Sequence, residues 1–500
     1  MIKLELLAAT ARTASLLLVQ DKAKYYLHTP QAWQLYKQGE EVRSGMSDRT
    51  GLFLSELEPE TTYIFECSDT SLQFGTSACG GFVEASDFGI SATKEDNCDA
   101  FSAAIAATPA NGTLSIPPGN FHTRPLFLKS DMTVHFEEGA QLSAVSSREG
   151  WPILSAHGDD DATIGSWEGL PSNCYAAVIT AINCHNLHIA GNGIIDGGGD
   201  VGDWWEWPKG TRVGARRART LHLIGCTNCS LTGVQVQNSP SWTVHPYRCK
   251  SVHFSNITIL NPADSPNTDG LNPESCENTS IVASRFTVGD DCIAVKAGKK
   301  ADDGYAQHLA PTMGLHISHC LMEKGHGAVV LGSEMSGSIT NVRVEKCEFD
   351  GTDRGIRIKT RRGRGGKVEN VFIQDVLMRN VPAPITANSF YFCDHDGKSE
   401  WVQDRTPHAV DGSTPHVQNI EIRDVVATGV EQVGIALLGL PEAPIKGVLV
   451  DNFQIQFNQN STPGVPLMAL HVPEMCNVDA YCEFAQLQGQ VVQLDGTQQQ

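Results

Sequence analysis

The tetrapeptide Asn186-Leu187-His188-Ile189 begins a pattern that returns along most of the chain. Each copy starts with Asn, Ser or Gly, and apolar residues follow at alternate positions. The copies start at Asn186, Asn228, Ser251, Asn278, Gly314, Asn341, Asn370, Asn419 and Gly447. Most neighbouring starts are about 23 to 29 residues apart, which is the length of one solenoid coil. Longer gaps indicate inserted loops.

A second column of residues lies six positions after most of these starts. It consists of Val234, Ile257, Cys320, Cys347, Val376, Val425 and Phe453. Stacked coils place like residues over like, so this column predicts the inward-facing core of a parallel β-helix, and cysteine suits burial. The recurrent Asn suits a bend, because Asn tolerates a left-handed backbone conformation.

The alternative fold is a doubly wound α/β sheet, which needs a crossover of a dozen or more residues between strands, usually a helix. Residues 341–379 show no helical pattern of that length. The sequence therefore predicts an all-β protein whose main part is a right-handed parallel β-helix. A short helix is expected from Asn97 to Ala107, where Phe101 and Ile105 lie one turn apart and could cover the first coil.

Residues 1–80 show a different pattern, with short alternating runs separated by turn residues. This predicts a small antiparallel β-sandwich. Leu57, Pro59, Thr61 and Tyr63 resemble the corner of a fibronectin type III domain, where a tyrosine hydroxyl bonds to backbone a few residues upstream. A Pro-containing turn before an ordinary strand is the simpler alternative. We expect a fibronectin-like domain at 1–80 and a β-helix domain at 81–500.

The chain contains 37 Lys and Arg residues against 57 Asp and Glu residues, a net charge of −20. Such a surface argues against nucleic acid or an anionic membrane as a partner. No apolar run reaches the roughly 18 residues of a membrane span. Glu5 and Arg12 interrupt the apolar N-terminus, so no signal peptide is expected and a cytoplasmic location is predicted. A periplasmic or secreted protein whose signal was removed is the alternative, and the oligomeric state is not indicated.

Cys226 and Cys229 form a CxxC pair, but no second pair stands at zinc-site spacing. Four ligands are needed for a structural zinc site. Several of the fifteen cysteines lie in strand patterns, which is typical of buried thiols. We therefore expect neither a metal nor a cofactor.

Four short motifs fall on successive coils: Asn267-Thr-Asp269-Gly, Gly-Asp290-Asp291-Cys, Gly-His326-Gly and Arg357-Ile-Lys359. Each alone has an ordinary explanation, such as a turn, a solvated acidic pair or an incidental histidine. Their spacing favours a common site, because the steps between them are close to one coil. Equivalent positions on stacked strands are roughly 4.8 Å apart, so these side chains can form one patch.

Such a patch suits the hydrolysis of an acidic sugar polymer. Inverting glycoside hydrolysis needs a protonated carboxyl and a basic carboxylate, usually roughly 6.5–9.5 Å apart. Mutual repulsion among three aspartates raises the pKa of one of them and favours its protonated form. Arg357 and Lys359 offer a fixed positive site for a sugar carboxylate.

More cations surround these motifs. Arg361, Arg362, Arg364 and Lys367 are expected to extend the cationic strip. Another group follows Trp204, Trp205 and Trp207 and contains Arg212, Arg216, Arg217 and Arg219. For this second group, substrate binding and a solvated loop remain equal alternatives.

In this order on a β-helix, the four motifs resemble the polygalacturonases of glycoside hydrolase family 28, with similarity over about residues 83–470. The resemblance implies that Asp290 is the general acid and that Asp269 and Asp291 position and deprotonate the attacking water. It also implies that His326 supports the protonation state of the acid. Arg357 and Lys359 would bind the galacturonate carboxylate, Asn267 would hold the local geometry, and no metal would be needed.

The implied function is hydrolysis of α-1,4 bonds in polygalacturonate with inversion, by a catalytic domain at residues 81–500. A fibronectin-like front domain is similar to the bacterial exo-acting members, which release mono- or digalacturonate. Insertions at about 196–219 and 383–415 could close one end of the groove. The alternatives are hydrolysis of rhamnogalacturonan or another decorated pectin, a pectate lyase on the same fold, and a non-catalytic polysaccharide-binding adhesin.

Overall fold

The polypeptide begins with two antiparallel sheets that enclose an apolar core. In the computed structural model, which describes residues 2–158 and 162–494, this part is the predicted small sandwich. One sheet contains Ile2–Ala9, Ala14–Gln20 and Gly51–Leu54; the other contains Glu40–Arg49, Tyr26–Lys37, Thr62–Cys67 and Thr70–Gly75. Leu16, Trp33 and Phe65 are buried between them, and the two aromatic rings stack at 5.7 Å.

Tyr63 occupies the corner that the sequence singled out. Its ring is buried, and its hydroxyl accepts a hydrogen bond from the backbone N–H of Glu58 at 2.9 Å. Pairing changes from antiparallel to parallel between Gly75 and Phe82. The fibronectin type III likeness and the domain boundary at residue 80 nevertheless stay predictions.

A right-handed parallel β-helix follows, as predicted. One long sheet supplies two of its faces. The first face contains Phe82–Glu84, Gly112–Ile116, Met132–Phe136, Leu187–Gly191, Thr227–Thr232, Lys250–Ser255, Glu277–Val282, Thr312–Ser318, Ile339–Glu345 and Ala485–Gln488. The second contains Gly119–Thr123, Ala140–Ala144, Ile194–Asp196, Gln235–Gln237, Thr258–Leu260, Arg285–Thr287, Leu321–Glu323, Glu348–Asp350 and Val491–Gln493. Lys367–Arg379, His416–Val430 and Ile445–Phe457 bend through both faces.

We call the third face the floor sheet. Its early strands are Leu126–Phe127, Ile179–Ile182, Leu221–Ile224 and Val244–Tyr247. Its later strands are Asp291–Val295, Gly327–Gly332, Arg354–Lys359, Ala383–Asn388, Val433–Leu438 and Val478–Glu483. Single bridges through Leu271 join the two groups. Outside the three faces, Ile153–Leu154 pairs with Cys174–Tyr175, and Ser166–Trp167 with Leu170–Pro171.

The core column and the bend column behave as the repeat predicts. Val376 aligns with Val425, and Val425 aligns with Phe453, each buried in the core. At the bends, Asn186 and Asn228 have φ angles of 51° and 54°, in the left-handed region. The Asn228 amide donates to Asn186 Oδ1 at 2.7 Å, so neighbouring coils are also joined through their bend side chains.

Helices are few and short: Cys98–Ala107 and Glu400–Gln403 are α-helical, and Ala85–Phe88 and Trp204–Glu206 are 3-10 turns. The first confirms the predicted helix, because Phe101 and Ile105 are buried and Phe101 packs edge-on against Phe121. No helix of the described ranges is long and apolar enough to cross a membrane.

The sandwich lies against bends between the two faces of the long sheet. Ser15 Oγ is 2.8 Å from Ser255 Oγ, Lys24 forms an ion pair with Asp375, and Leu17 packs with Val282. These contacts lie on the long sheet, so the sandwich does not cover the floor sheet, and the inserted loops can do so.

Candidate active site

The floor sheet brings the four motifs together. Asp291 aligns with Gly327, the residue after His326, and Val330 aligns with Arg357. The strand-like segment after Asp269 joins the same ladder, because the Gly270 N–H donates to the Asp291 carbonyl at 3.0 Å. The coils therefore place the predicted acidic and basic side chains in one patch.

Three carboxylates meet at the centre of this patch. One oxygen each of Asp269, Asp290 and Asp291 lies within 4.8 Å of the others. This is closer than the spacing of roughly 6.5–9.5 Å expected for an inverting pair. These are distances between single oxygens and not between whole carboxyl groups, so they neither test that expectation nor indicate the stereochemistry. The three carboxylates also have a geometry that could hold a metal ion.

Asp291 is the most strongly paired of the three. Lys359 Nζ donates to Asp291 Oδ2 at 2.8 Å, and Arg357 Nη1 lies 3.5 Å from Oδ1. Burial alone would raise the pKa of Asp291, but Lys359 and then Arg357 outweigh burial and lower it to about 2. Asp291 is therefore ionised at neutral pH, as a base or water-binding group must be.

Asp269 has the opposite character. Burial, followed by the charge of Asp290, raises the pKa of Asp269 well above its usual range. Asn272 Nδ2 donates to its Oδ2 at 2.9 Å. The expectation that crowding raises the pKa of one aspartate thus applies to Asp269, whereas the family resemblance gives the acid role to Asp290. Because the groups titrate together, a proton bound here belongs to the cluster.

His326 lies beside Asp290. Its Nδ1 is 3.4 Å from Asp290 Oδ1, and its backbone N–H donates to the Asp290 carbonyl at 2.9 Å. The hydrogen bond to Asp290 raises the pKa of His326 to about 9. The imidazolium is therefore charged at neutral pH and lies beside the carboxyl group of Asp290.

This pairing predicts a specific titration. In the wild type, the NMR shift of His326 should have its midpoint near pH 9. In Asp290→Asn the midpoint should fall towards the ordinary value of about 6.5, because the carboxyl group that raises the pKa of His326 is gone. A His326→Gln spectrum assigns the resonance, and His316, paired with Glu345 on another face, is the control that should not move. An unchanged midpoint in Asp290→Asn would show that Asp290 is not the cause.

The side chain of Asn267 is held in place by the buried Arg217. Its Oδ1 accepts a hydrogen bond from Arg217 Nη2 at 2.6 Å, and the same nitrogen donates to the Pro208 carbonyl at 2.7 Å. The side chain predicted to hold the local geometry is thus itself tied to the first insertion.

Further residues of the pocket were not predicted from the sequence. They are Glu168, Lys209, Trp242, Lys296, Ser333, Glu334, Tyr391, Cys393 and Asp394. Lys296 and Glu334 form a buried ion pair of 2.6 Å, and Lys359 lies 5.4 Å above the ring of Tyr391. The sequence offered a signal for both residues, because Lys296 directly follows the strand Asp291–Val295 and Glu334 closely follows the next strand, Gly327–Gly332.

The predicted cationic strip beyond Lys359 is wrong. Arg361, Arg362 and Arg364 are 2–3% exposed and form ion pairs with Asp394 or Glu442. Buried guanidinium groups need such partners because losing hydration costs several kcal/mol per ion. Lys367 is exposed but pairs with Glu369. The three arginines fasten the second insertion and do not form a free surface for substrate.

The second arginine group, Arg212, Arg216, Arg217 and Arg219, as a whole is neither a substrate-binding surface nor a solvated loop. Arg217 and Arg219 are 0% and 1% exposed, so they lie in no solvated loop. Arg217 donates to main-chain carbonyls as well as to Asn267, and Arg219 Nη2 donates to the Ser166 carbonyl at 2.7 Å. Arg212 pairs with Asp203. The group anchors loops around the pocket.

The CxxC pair lies in the core. Cys226 and Cys229 are 0% and 1% exposed, and each thiol donates to a main-chain carbonyl at 3.5 Å. All fifteen cysteines, each within the described ranges, are free thiols.

Comparison with known proteins agrees with this geometry. A probable polygalacturonase of Vitis vinifera is 32% identical over 366 residues, which cover 72% of this chain and 71% of that protein. An endo-polygalacturonase of Pectobacterium parmentieri is 31% identical over 289 residues, covering 54% of this chain and 65% of that protein.

The solved structure of a family 28 exopolygalacturonase from Yersinia enterocolitica has the same fold. It superimposes with a TM-score of 0.72 at 21% identity, covering 99% of this chain and 96% of that one. Residues 108–466, well over half of the chain, match the family model of glycosyl hydrolases family 28. The chain therefore belongs to glycosyl hydrolases family 28 and is a polygalacturonase-family glycoside hydrolase.

Proposed function

We propose that the protein hydrolyses α-1,4-galacturonosidic bonds of polygalacturonate from a chain end, with inversion, and releases galacturonate or digalacturonate. The acidic cluster of Asp269, Asp290 and Asp291 supplies proton donor and base. Arg357 and Lys359 supply the positive charge that a uronate needs. The observation that carries the exo assignment is that the floor of the groove is buried on one side of these aspartates.

The buried floor begins one coil before the cluster. His222 and His245 lie in register on the early strands of the floor sheet, and their rings stack at 4.6 Å. In an open groove such side chains would face the substrate. Here they are 1% and 0% exposed. The space above them is therefore filled by protein.

Aromatic and guanidinium groups fill that space. The Trp242 ring packs edge-on against His245 at 5.0 Å. The Arg219 guanidinium lies 5.4 Å from the rings of both Trp242 and Trp167. Trp167 comes from the hairpin at residues 166–171, which neither predicted insertion contains. We call this hairpin with Trp242 and Arg219 the plug.

Several contacts hold the plug in place. The Lys299 N–H donates to the Gly169 carbonyl at 2.8 Å, and His308 Nε2 is 2.9 Å from the same oxygen. Lys299 Nζ also pairs with Asp394 of the second insertion at 2.9 Å. A long chain cannot cross a groove closed by such a wall, which supports our proposal of cleavage near a chain end.

Early products test this proposal. Chromatography of a polygalacturonate digest should show galacturonate or digalacturonate as the first products, while viscosity falls slowly relative to the release of reducing ends. Rapid viscosity loss with longer oligomers would contradict exo action. A digest by a random-cutting polygalacturonase provides the control for the viscosity curve.

The stereochemistry needs a separate measurement. Inversion at an α-linkage gives the β anomer as the first product, which NMR can detect before mutarotation. A first-formed α anomer would indicate retention. Direct appearance of unsaturated, ultraviolet-absorbing products would instead indicate β-elimination, the chemistry of a lyase.

A further inference from the structure

Lys209, in the first insertion, differs from the other lysines of the pocket. We propose that Lys209 binds the carboxylate of the galacturonate unit that enters the plugged side of the cleavage point. This inference rests on the proposed function. It assigns uronate recognition on that side to a residue outside the four motifs.

The other two lysines that line the pocket are already engaged. Lys359 pairs with Asp291 at 2.8 Å, and Lys296 pairs with Glu334 at 2.6 Å and donates to the Gly332 carbonyl at 3.1 Å. Both side chains are at most 8% exposed. Drawing either lysine away from its carboxylate would leave that buried carboxylate without its partner, which is costly. Lys359 can therefore contribute to uronate binding only while it stays paired with Asp291.

Lys209 is free of that constraint. Its side chain is 60% exposed and pairs with Glu168 at 3.0 Å. Exposed ion pairs contribute little, because water screens them and both side chains lose entropy. Lys209 can therefore exchange Glu168 for a sugar carboxylate at small cost. The released Glu168 carboxylate, 28% exposed, can still be solvated.

The neighbouring acids do not require Lys209 for neutralisation. Glu334 has Lys296, and Asp394 has Lys299 at 2.9 Å and Arg361 Nε at 3.1 Å. Among the lysines of the described part of the pocket, Lys209 is thus the one that can exchange its carboxylate partner for a ligand.

The main chain at Lys209 is fixed although its side chain is exposed. Arg217 joins Pro208, the preceding residue, to Asn267 of the first motif. Arg216 donates to the Lys209 carbonyl itself. The backbone at Lys209 is therefore tied to Asn267 of the first motif, which is part of the preorganisation that a binding residue needs.

The test uses trigalacturonate and three derivatives, each with one carboxyl reduced to the alcohol. Lys209→Gln should lower kcat/KM for trigalacturonate by about 10- to 100-fold, mainly through KM, because a charge-assisted hydrogen bond is lost. With the derivative that lacks the carboxylate bound by Lys209, the Lys209→Gln variant and the wild type should have similar kcat/KM values. Lys209→Arg should recover much of the loss on trigalacturonate.

The matched control is Lys250→Gln. Lys250 is 56% exposed and pairs with Glu277 at 3.2 Å, but it lies on a strand of the long sheet. This variant should behave as the wild type with every substrate. A loss in Lys209→Gln that is equal for all four substrates would indicate a merely structural role and overturn the inference, as would no loss. A wild-type protein that leaves trigalacturonate and polygalacturonate intact would instead contradict the proposed function.

Discussion

Asp290→Asn should lower kcat on polygalacturonate by about 10²- to 10⁴-fold, the usual contribution of a general acid. The amide cannot donate a carboxyl proton to the leaving oxygen. The fold should survive, because the side chain is partly exposed and its Oδ1, which accepts the Asp291 N–H at 3.0 Å, is present in Asn as well. Steady-state kinetics with a thermal melt checks both statements.

A second substrate shows which aspartate donates the proton. A galacturonide with a nitrophenol leaving group needs little protonation, so the defect of Asp290→Asn should shrink greatly on it. Asp269→Asn should stay defective on both substrates if Asp269 acts on the water. If activation of the leaving group rescues Asp269→Asn instead, the proton that burial favours on Asp269 is the catalytic one. Near-normal turnover of Asp290→Asn would also refute the assignment.

Lys359→Met should lower kcat/KM by at least about 100-fold and also destabilise the fold. The substitution removes the cation 2.8 Å from Asp291 and leaves that buried carboxylate with Arg357 at 3.5 Å. Breaking a buried pair by removing one partner costs about 3–5 kcal/mol. Kinetics on polygalacturonate and a thermal melt measure the two effects.

In Lys359→Met the acidic limb of the pH–activity profile should also move to higher pH. The pKa of Asp291 is lowered to about 2, below the ordinary value of about 3.9. Its ion pairing therefore stabilises the native state fully above about pH 4, and this contribution is lost as pH falls through about 2. Without Lys359 the pKa of Asp291 should rise, so activity and stability should fail at a higher pH.

Lys367→Met is the control for these measurements. Lys367 is eight residues further on, its side chain is 47% exposed, and it pairs with Glu369. Its loss should change neither kcat/KM nor the acidic limb. An acidic limb that stays unchanged in Lys359→Met would show that Lys359 does not set the pKa of Asp291.

The repeat was readable from the sequence because each coil specifies its own bend and core positions. The left-handed Asn residues and the buried column, including Cys320 and Cys347, follow from local pattern alone. Stacking of equal coils then places Asp269 near Asp291 and His326 near Asp290, since motif spacing converts directly into strand position.

The burial and the ion partners of the arginines could not be predicted from the repeat. A run such as Arg361, Arg362 and Arg364 has the same composition whether it is exposed or buried. Its ion partners, Asp394 and Glu442, lie 30 or more residues away in sequence, within or beyond an insertion. No local pattern records these contacts.

The β-helix and the meeting of the four motifs could be predicted from the amino-acid sequence alone, because both depend on a period of one coil. The folded molecule alone shows which part of the floor sheet is covered, which cations are free and which aspartate burial favours as protonated. Those properties depend on how irregular loops fold over the floor sheet. Desolvation and charge pairing are set by these non-periodic contacts, between residues that no repeat relates.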